Sequence, residues 1–119
     1  MHPKPRRLPR PVRRQTLHGI AVGWTALRAY VFDRDGVCVA FRRDPDHVCR
    51  DRWGVPHAPG DRTKLTLDHV FPEAGGRKGK KADDDARFLV AACDAVNVGV
   101  PSRELREFER SYLAAVEKE

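Results

Sequence analysis

The sequence predicts an α+β fold in a single domain, with a helix toward each end and strands between them. Three observations carry this. Apolar residues recur at helical spacing in Trp24, Leu27, Tyr30 and Val31, and again after Ser102 in Leu105, Phe108, Tyr112, Leu113 and Val116. Between these stretches, residues 64–71 carry Thr66, Leu67 and Val70 in a strand-like alternation, and residues 88–93 are continuously apolar. The chain has 119 residues, enough for one modest core that a metal or a partner could reinforce.

Residues 1–16 read as a disordered basic arm and 17–119 as the folded domain. Pro3, Pro5, Pro9 and Pro11 oppose helix and sheet, so the arm is expected to be extended and solvated. A helix follows over about residues 22–33, stopped by Asp35-Gly36. Residues 37–41 are apolar with Cys38 inside them, which suits a short strand or a metal knuckle. Residues 44–62 are rich in Asp, Pro, Gly and His and read as loop; loops this long usually have a functional or metal-bound reason to be ordered. The strand at 64–71 ends at Pro72. Gly75, Gly76 and Gly79 among Arg77, Lys78, Lys80 and Lys81 make a flexible basic loop. The run at 88–93 is short enough for a buried strand, although periodicity alone also allows a helix. Ser102 is a good N-cap for the terminal helix.

Charge is concentrated at one end. Lys4, Arg6, Arg7, Arg10, Arg13 and Arg14 lie in the arm with no acidic residue, and without them basic and acidic residues are equal in number, so the formal charge of +6 resides there. Such an arm suits a phosphate backbone, since each cation that displaces a condensed counterion adds salt-dependent affinity without reading sequence. A solubilising tail has the same composition. No apolar run approaches a membrane span and no apolar stretch follows the basic N-terminus, so a cytoplasmic location and no membrane contact are expected. Three cysteines in a reducing compartment serve as metal ligands or small buried groups more often than as disulfides.

The chemistry is carried by Asp68-His69 at the end of the second strand-like run, with Asn97 downstream. A carboxylate beside an imidazole, together with a side-chain amide, is what metal-assisted phosphodiester cleavage needs. Neighbouring strand residues point to opposite faces, so Asp68 can hold a divalent cation while His69 approaches a water from the other side. Structural roles, capping a strand end and a helix, are the competing reading.

The order of helix, Arg34-Asp35-Gly36, Cys38, Asp68-His69, Cys93 and Asn97 resembles the HNH nucleases. The likeness is to small free-standing HNH proteins of actinobacterial phages, some of which share Asp-His-Val, Gly-Lys-Lys and Asn-Val-Gly-Val-Pro-Ser segments. It covers roughly residues 24–116. The resemblance implies a ββα-metal core between the two flanking helices, with His69 as general base held by a backbone carbonyl. It also implies that Asp68 and Asn97 hold one Mg²⁺ or Mn²⁺. The expected partner is DNA, contacted by Arg6, Arg7, Arg10, Arg13, Arg14, Arg77, Lys78, Lys80 and Lys81, with a phage terminase as a further candidate partner.

The family's two CxxC pairs are incomplete. Phe41 and Val96 stand where second ligands would be, and Phe88 replaces the polar residue, usually Asn, that braces the catalytic loop. Two alternatives follow. Cys38, Cys49 and Cys93 with His47 or His57 would give a Cys3His zinc set. Alternatively, apolar packing by Phe41, Val96 and Phe88 has replaced the metal, at roughly 1.5–3 kcal/mol per fully buried large side chain. The irregular Cys38 to Cys49 spacing favours the second. The function expected is a metal-dependent endonuclease. The alternative is a non-catalytic DNA-binding accessory protein with a degenerate HNH fold.

Overall fold

A computed structural model describes residues 15–70, 84–99 and 101–117. The arm cations and the basic loop at 75–81 lie outside the described residues. The architecture is α+β. A hairpin of β1 (Gln15–Leu17) and β2 (Ile20–Ala21) precedes α1 (Trp24–Asp35) and the short α2 (Val39–Arg43). Then come β3 (Leu65–His69), β4 (Asp84–Asp85), a 3₁₀ turn at Ala86–Phe88, β5 (Leu89–Cys93), α3 (Asp94–Val98) and α4 (Arg103–Val116). β1 pairs antiparallel with β2 and parallel with β4. β3 and β5 form a separate antiparallel pair, in which Leu67 faces Ala91 and His69 faces Leu89.

Each element has a local cause. α1 ends where Gly36 adopts φ 73°, a positive φ that glycine reaches without strain, and its N–H closes on the Phe32 carbonyl at 2.8 Å. Ser102 Oγ accepts from the Leu105 N–H at 3.1 Å and starts α4. All five residues of β5 are buried, because α1 covers one face of the β3–β5 pair and α2 and α4 the other. Leu27, Val31, Leu65, Leu89 and Cys93 form the main core; Val39, Val70, Val90 and Leu113 form a second one beneath α4.

Arg34 and Asp35 join these layers. Asp35, 1% exposed, accepts from Arg34 Nε at 2.7 Å, the Ala91 N–H at 2.8 Å and the Tyr112 hydroxyl at 2.6 Å, tying α1 to β5 and α4. Arg34 donates to the carbonyls of Ala86 (2.8 Å) and Leu89 (2.6 Å) and to Glu117 Oε1 (2.6 Å). A buried ion pair offsets its desolvation only when its remaining donors and acceptors are satisfied, and here they are.

Three expectations change. Residues 37–41 form no strand; Cys38 caps the short helix α2, because the chain turns sharply at Gly36 and Cys38 is held by its N–H to the Pro59 carbonyl at 2.9 Å. β1 begins at Gln15, two residues inside the segment read as arm. Trp24 and Val116 lie on the expected helical faces but are 46% and 38% exposed, outside the core. The β1–β2 hairpin and β4 carried too few residues for a periodic signal. Among the described residues, no helix is long and apolar enough to cross a membrane.

Candidate active site and metal centre

β3 ends at His69, and the alternation of the strand sends Asp68 and His69 to opposite faces. His69 Nε2 meets Asp84 Oδ1 at 2.5 Å. The imidazole is 37% exposed, while Asp84 is 2% exposed. Among the described residues the ring is held by a carboxylate, where the resemblance implied a backbone carbonyl. That contact selects a tautomer: with Nε2–H given to Asp84, the basic nitrogen of the neutral ring is Nδ1.

Asp84 is held in place by its neighbour. Asp85 accepts from Thr16 Oγ1 (2.6 Å), the Gly19 N–H (2.8 Å), the Arg87 N–H (2.9 Å) and Arg87 Nε (2.8 Å). Burial pushes the Asp85 carboxyl up, but these donors outweigh it and hold it well below the usual carboxylate range. Phe88 supplies no polar brace; the pairing of β4 with β1 and the grip of Arg34 on Ala86 and Leu89 fix this segment instead.

On the opposite face, Asp68 is 4% exposed. Its Oδ2 accepts from Arg106 Nη1 of α4 at 3.4 Å. Burial raises the Asp68 carboxyl while Arg106 pulls it down. Glu109, fully buried one helical turn from Leu105 and Leu113, lies against Asp68. Burial, opposed by Arg106 and reinforced by Asp68, pushes the Glu109 carboxyl up to about 7. Asn97, on α3, donates through Nδ2 to Thr66 Oγ1 (2.9 Å) and to the Leu67 carbonyl (3.3 Å), beside Asp68 along β3. A cleft of about 240 Å³ opens beside Thr66, where Arg28, Arg52 and Lys64 meet Asp51 and Asp94.

A second constellation lies at the other end of β5. One ligand atom from each of Cys38, His47, Cys49 and Cys93 falls within 4.8 Å of the others. In a tetrahedral zinc thiolate site with Zn–S of about 2.3 Å, neighbouring sulfurs sit about 3.8 Å apart, so the group needs only a small contraction. The three thiols are buried and form no disulfide. Cys93 Sγ lies 3.5 Å from His47 Nε2, and Cys38 Sγ accepts from the Cys93 N–H at 3.4 Å. Hydrogen bonding from the Cys38 thiol, helped by His47, pulls Cys93 down to about 4, against burial. The Cys38 thiol is driven up by its bond to Cys93 and by burial, and burial together with the Cys93 charge pushes Cys49 up to about 11. One thiolate thus blocks ionisation of the other two, a conflict that a cation removes.

The four residues come together because Cys38 caps α2, Cys93 caps α3, and the loop after α2 turns back between them. An N–H from His57 to the Cys49 carbonyl at 3.0 Å and the Arg50–Pro56 bridge hold that loop. His57 stays outside the group, its Nδ1 facing the Ala58 carbonyl at 2.8 Å. The expected apolar replacement is present only beside the cluster, not instead of it: Val96 is buried, and Phe41 packs partly buried against the core. This group could hold a metal, and its soft sulfur donors suit zinc far better than magnesium.

Sequence reasoning missed Asp84, Arg106 and Glu109. Asp84 stood in an acidic run directly before the apolar stretch. Glu109 interrupted an apolar stripe midway between Leu105 and Leu113, which was the available signal. Comparisons with family models, with curated proteins and with solved structures returned no match.

Proposed function

We propose that this protein is an HNH-like, metal-dependent endonuclease that hydrolyses DNA phosphodiester bonds. The observation that carries the reading is the unit β3–β5–α3, two antiparallel strands running straight into a short helix, with Asp68-His69 at the strand end and Asn97 on the helix. His69, oriented by Asp84, is the general base; its Nδ1 takes the proton from the attacking water. Asp68 and Asn97 supply hard oxygen donors for Mg²⁺ or Mn²⁺. The fit is supported by Glu109 Oε2, a buried carboxylate oxygen beside Asp68 with no hydrogen-bond partner among the described residues. When bound there, a divalent ion stabilises charge on the scissile phosphate and the leaving oxygen. Cys38, His47, Cys49 and Cys93 would hold a structural zinc, fixing the start of α3 and hence Asn97. Arg28, Arg52 and Lys64 give the cleft beside Thr66 cations for a phosphate backbone.

The test is plasmid cleavage in EDTA, Mg²⁺ and Mn²⁺. Relaxation or linearisation only with the ions is expected, and Asn97→Ala should shift the dependence to higher Mn²⁺. Binding of DNA with no cleavage under any condition would leave an accessory DNA-binding protein.

A further inference from the structure

Among the described residues, Glu109 is a buried carboxyl with incomplete compensation. It is fully buried on α4, its Oε1 accepts from Arg106 Nη1 at 3.2 Å, and its Oε2 has no hydrogen-bond partner among the described residues. The same Nη1 donates to Asp68 Oδ2 at 3.4 Å, and the two carboxyls lie against each other. Two buried carboxylates thus share one guanidinium nitrogen. With both carboxyls ionised a single positive charge cannot balance two anions, so either a proton shared between them or a second positive charge must complete the balance. A divalent cation balances both, and carboxylate oxygens are the donors that Mg²⁺ and Mn²⁺ prefer.

We propose that Glu109 is a further protein ligand of the divalent ion: Asp68 and Glu109 form one cation seat, for which Arg106 Nη1 and the ion compete. The seat is built from two elements whose relation is fixed by packing. Asp68 comes from β3, whose pairing with β5 fixes it, and Glu109 comes from α4 between Leu105 and Leu113, which anchor the helix to the core. This rests on the reading of Asp68 as an ion ligand, and makes α4 part of the site and not only a cover.

The experiment is a Mn²⁺ titration of full-length protein already loaded with zinc and free of DNA, followed by the electron paramagnetic resonance signal of free Mn²⁺. It reads binding and not cleavage. Glu109→Gln keeps the size of a carboxyl but removes its charge. Its Mn²⁺ affinity is expected to fall at least about 10- to 100-fold, the loss that removing even an outer partner of a metal ligand brings, with a melting temperature no lower than wild type. Arg106→Gln removes the competing cation and is expected to bind Mn²⁺ more tightly. It decides alone if Glu109→Gln does not fold. Wild-type affinity in Glu109→Gln, or an unchanged or weaker affinity in Arg106→Gln, overturns the proposal while leaving Asp68 as a ligand. No Mn²⁺ binding by the wild type overturns the assignment of Asp68 itself, and this proposal with it.

Discussion

At the scale of single residues, the adjacent aspartates 84 and 85 divide two tasks. Asp84 turns to His69, while Asp85 turns the other way and locks β4 to the β1–β2 hairpin through Thr16 and Gly19. Asp84→Asn should therefore slow cleavage to a rate between wild type and His69→Ala, because an amide can present its N–H to Nε2 and favour the wrong tautomer. Asp84→Glu should recover part of the rate. A rate for Asp84→Asn equal to wild type would show that the contact does not orient the base. Asp85→Asn should instead affect stability, costing about 1.5–3 kcal/mol at neutral pH, the range for hydrogen bonds to a charged group. The folded carboxyl titrates below its unfolded value of about 3.9, so the stability it confers is complete above that value and disappears as pH falls through the lower folded one. Denaturant midpoints of wild type and Asp85→Asn should accordingly differ at pH 7 and converge in acid; a gap that persists unchanged at low pH would mean that the charge contributes nothing.

At the scale of elements, the two long helices and β3 were legible because each had a full period of apolar positions or a clear cap, as at Gly36 and Ser102, whereas the unbroken apolar run that forms β5 fitted strand and helix equally. The elements that escaped were short. β2 and β4 have two residues each, and their existence depends on Asp85 reaching Thr16 across the chain, which no local pattern announces. The same holds for the site. Asp68, His69 and Asn97 could be named from their chemistry, but Asp84 and Glu109 owe their positions to tertiary packing. The cysteine group is hard to weigh from sequence for a related reason. Sequence spacing measures distance along the chain, whereas the loop after α2 folds back and brings His47 and Cys49 beside Cys38 and Cys93. Elemental analysis of protein purified without added metal should find about one zinc per chain, and Cys93→Ser or a strong chelator should release it and lower the melting temperature steeply, because binding energy at such a site is folding energy. Protein that melts identically with and without chelator would return the cluster to a role in packing.

At the scale of the whole molecule, the proposed function assigns DNA affinity and chemistry to different parts of the chain. The six cations of the arm lie apart from His69, Asp68 and Asn97 in the sequence, so deleting residues 1–14 should weaken DNA binding and flatten its salt dependence. The slope of log affinity against log salt should fall by about 0.9 for each phosphate that the arm no longer neutralises. Single-turnover cleavage at saturating protein should be nearly unchanged. An unaltered slope would assign the backbone contacts to the loop at Arg77, Lys78, Lys80 and Lys81 and to the cleft cations instead. The cysteine–histidine cluster, the Arg34–Asp35 joint and the β1–β4 pairing all converge on one outcome, the fixed relation of β3 to α3. That relation is the basis of the claim that the protein cuts DNA. The measurement that tests it most directly is the single-turnover rate of plasmid cleavage in Mn²⁺ by wild type and by His69→Ala, with folding of both confirmed by thermal melting. Removing a positioned general base should slow the reaction roughly 10²- to 10⁴-fold in a protein that still folds. Equal rates for the two proteins, or cleavage that persists in EDTA, would contradict the account.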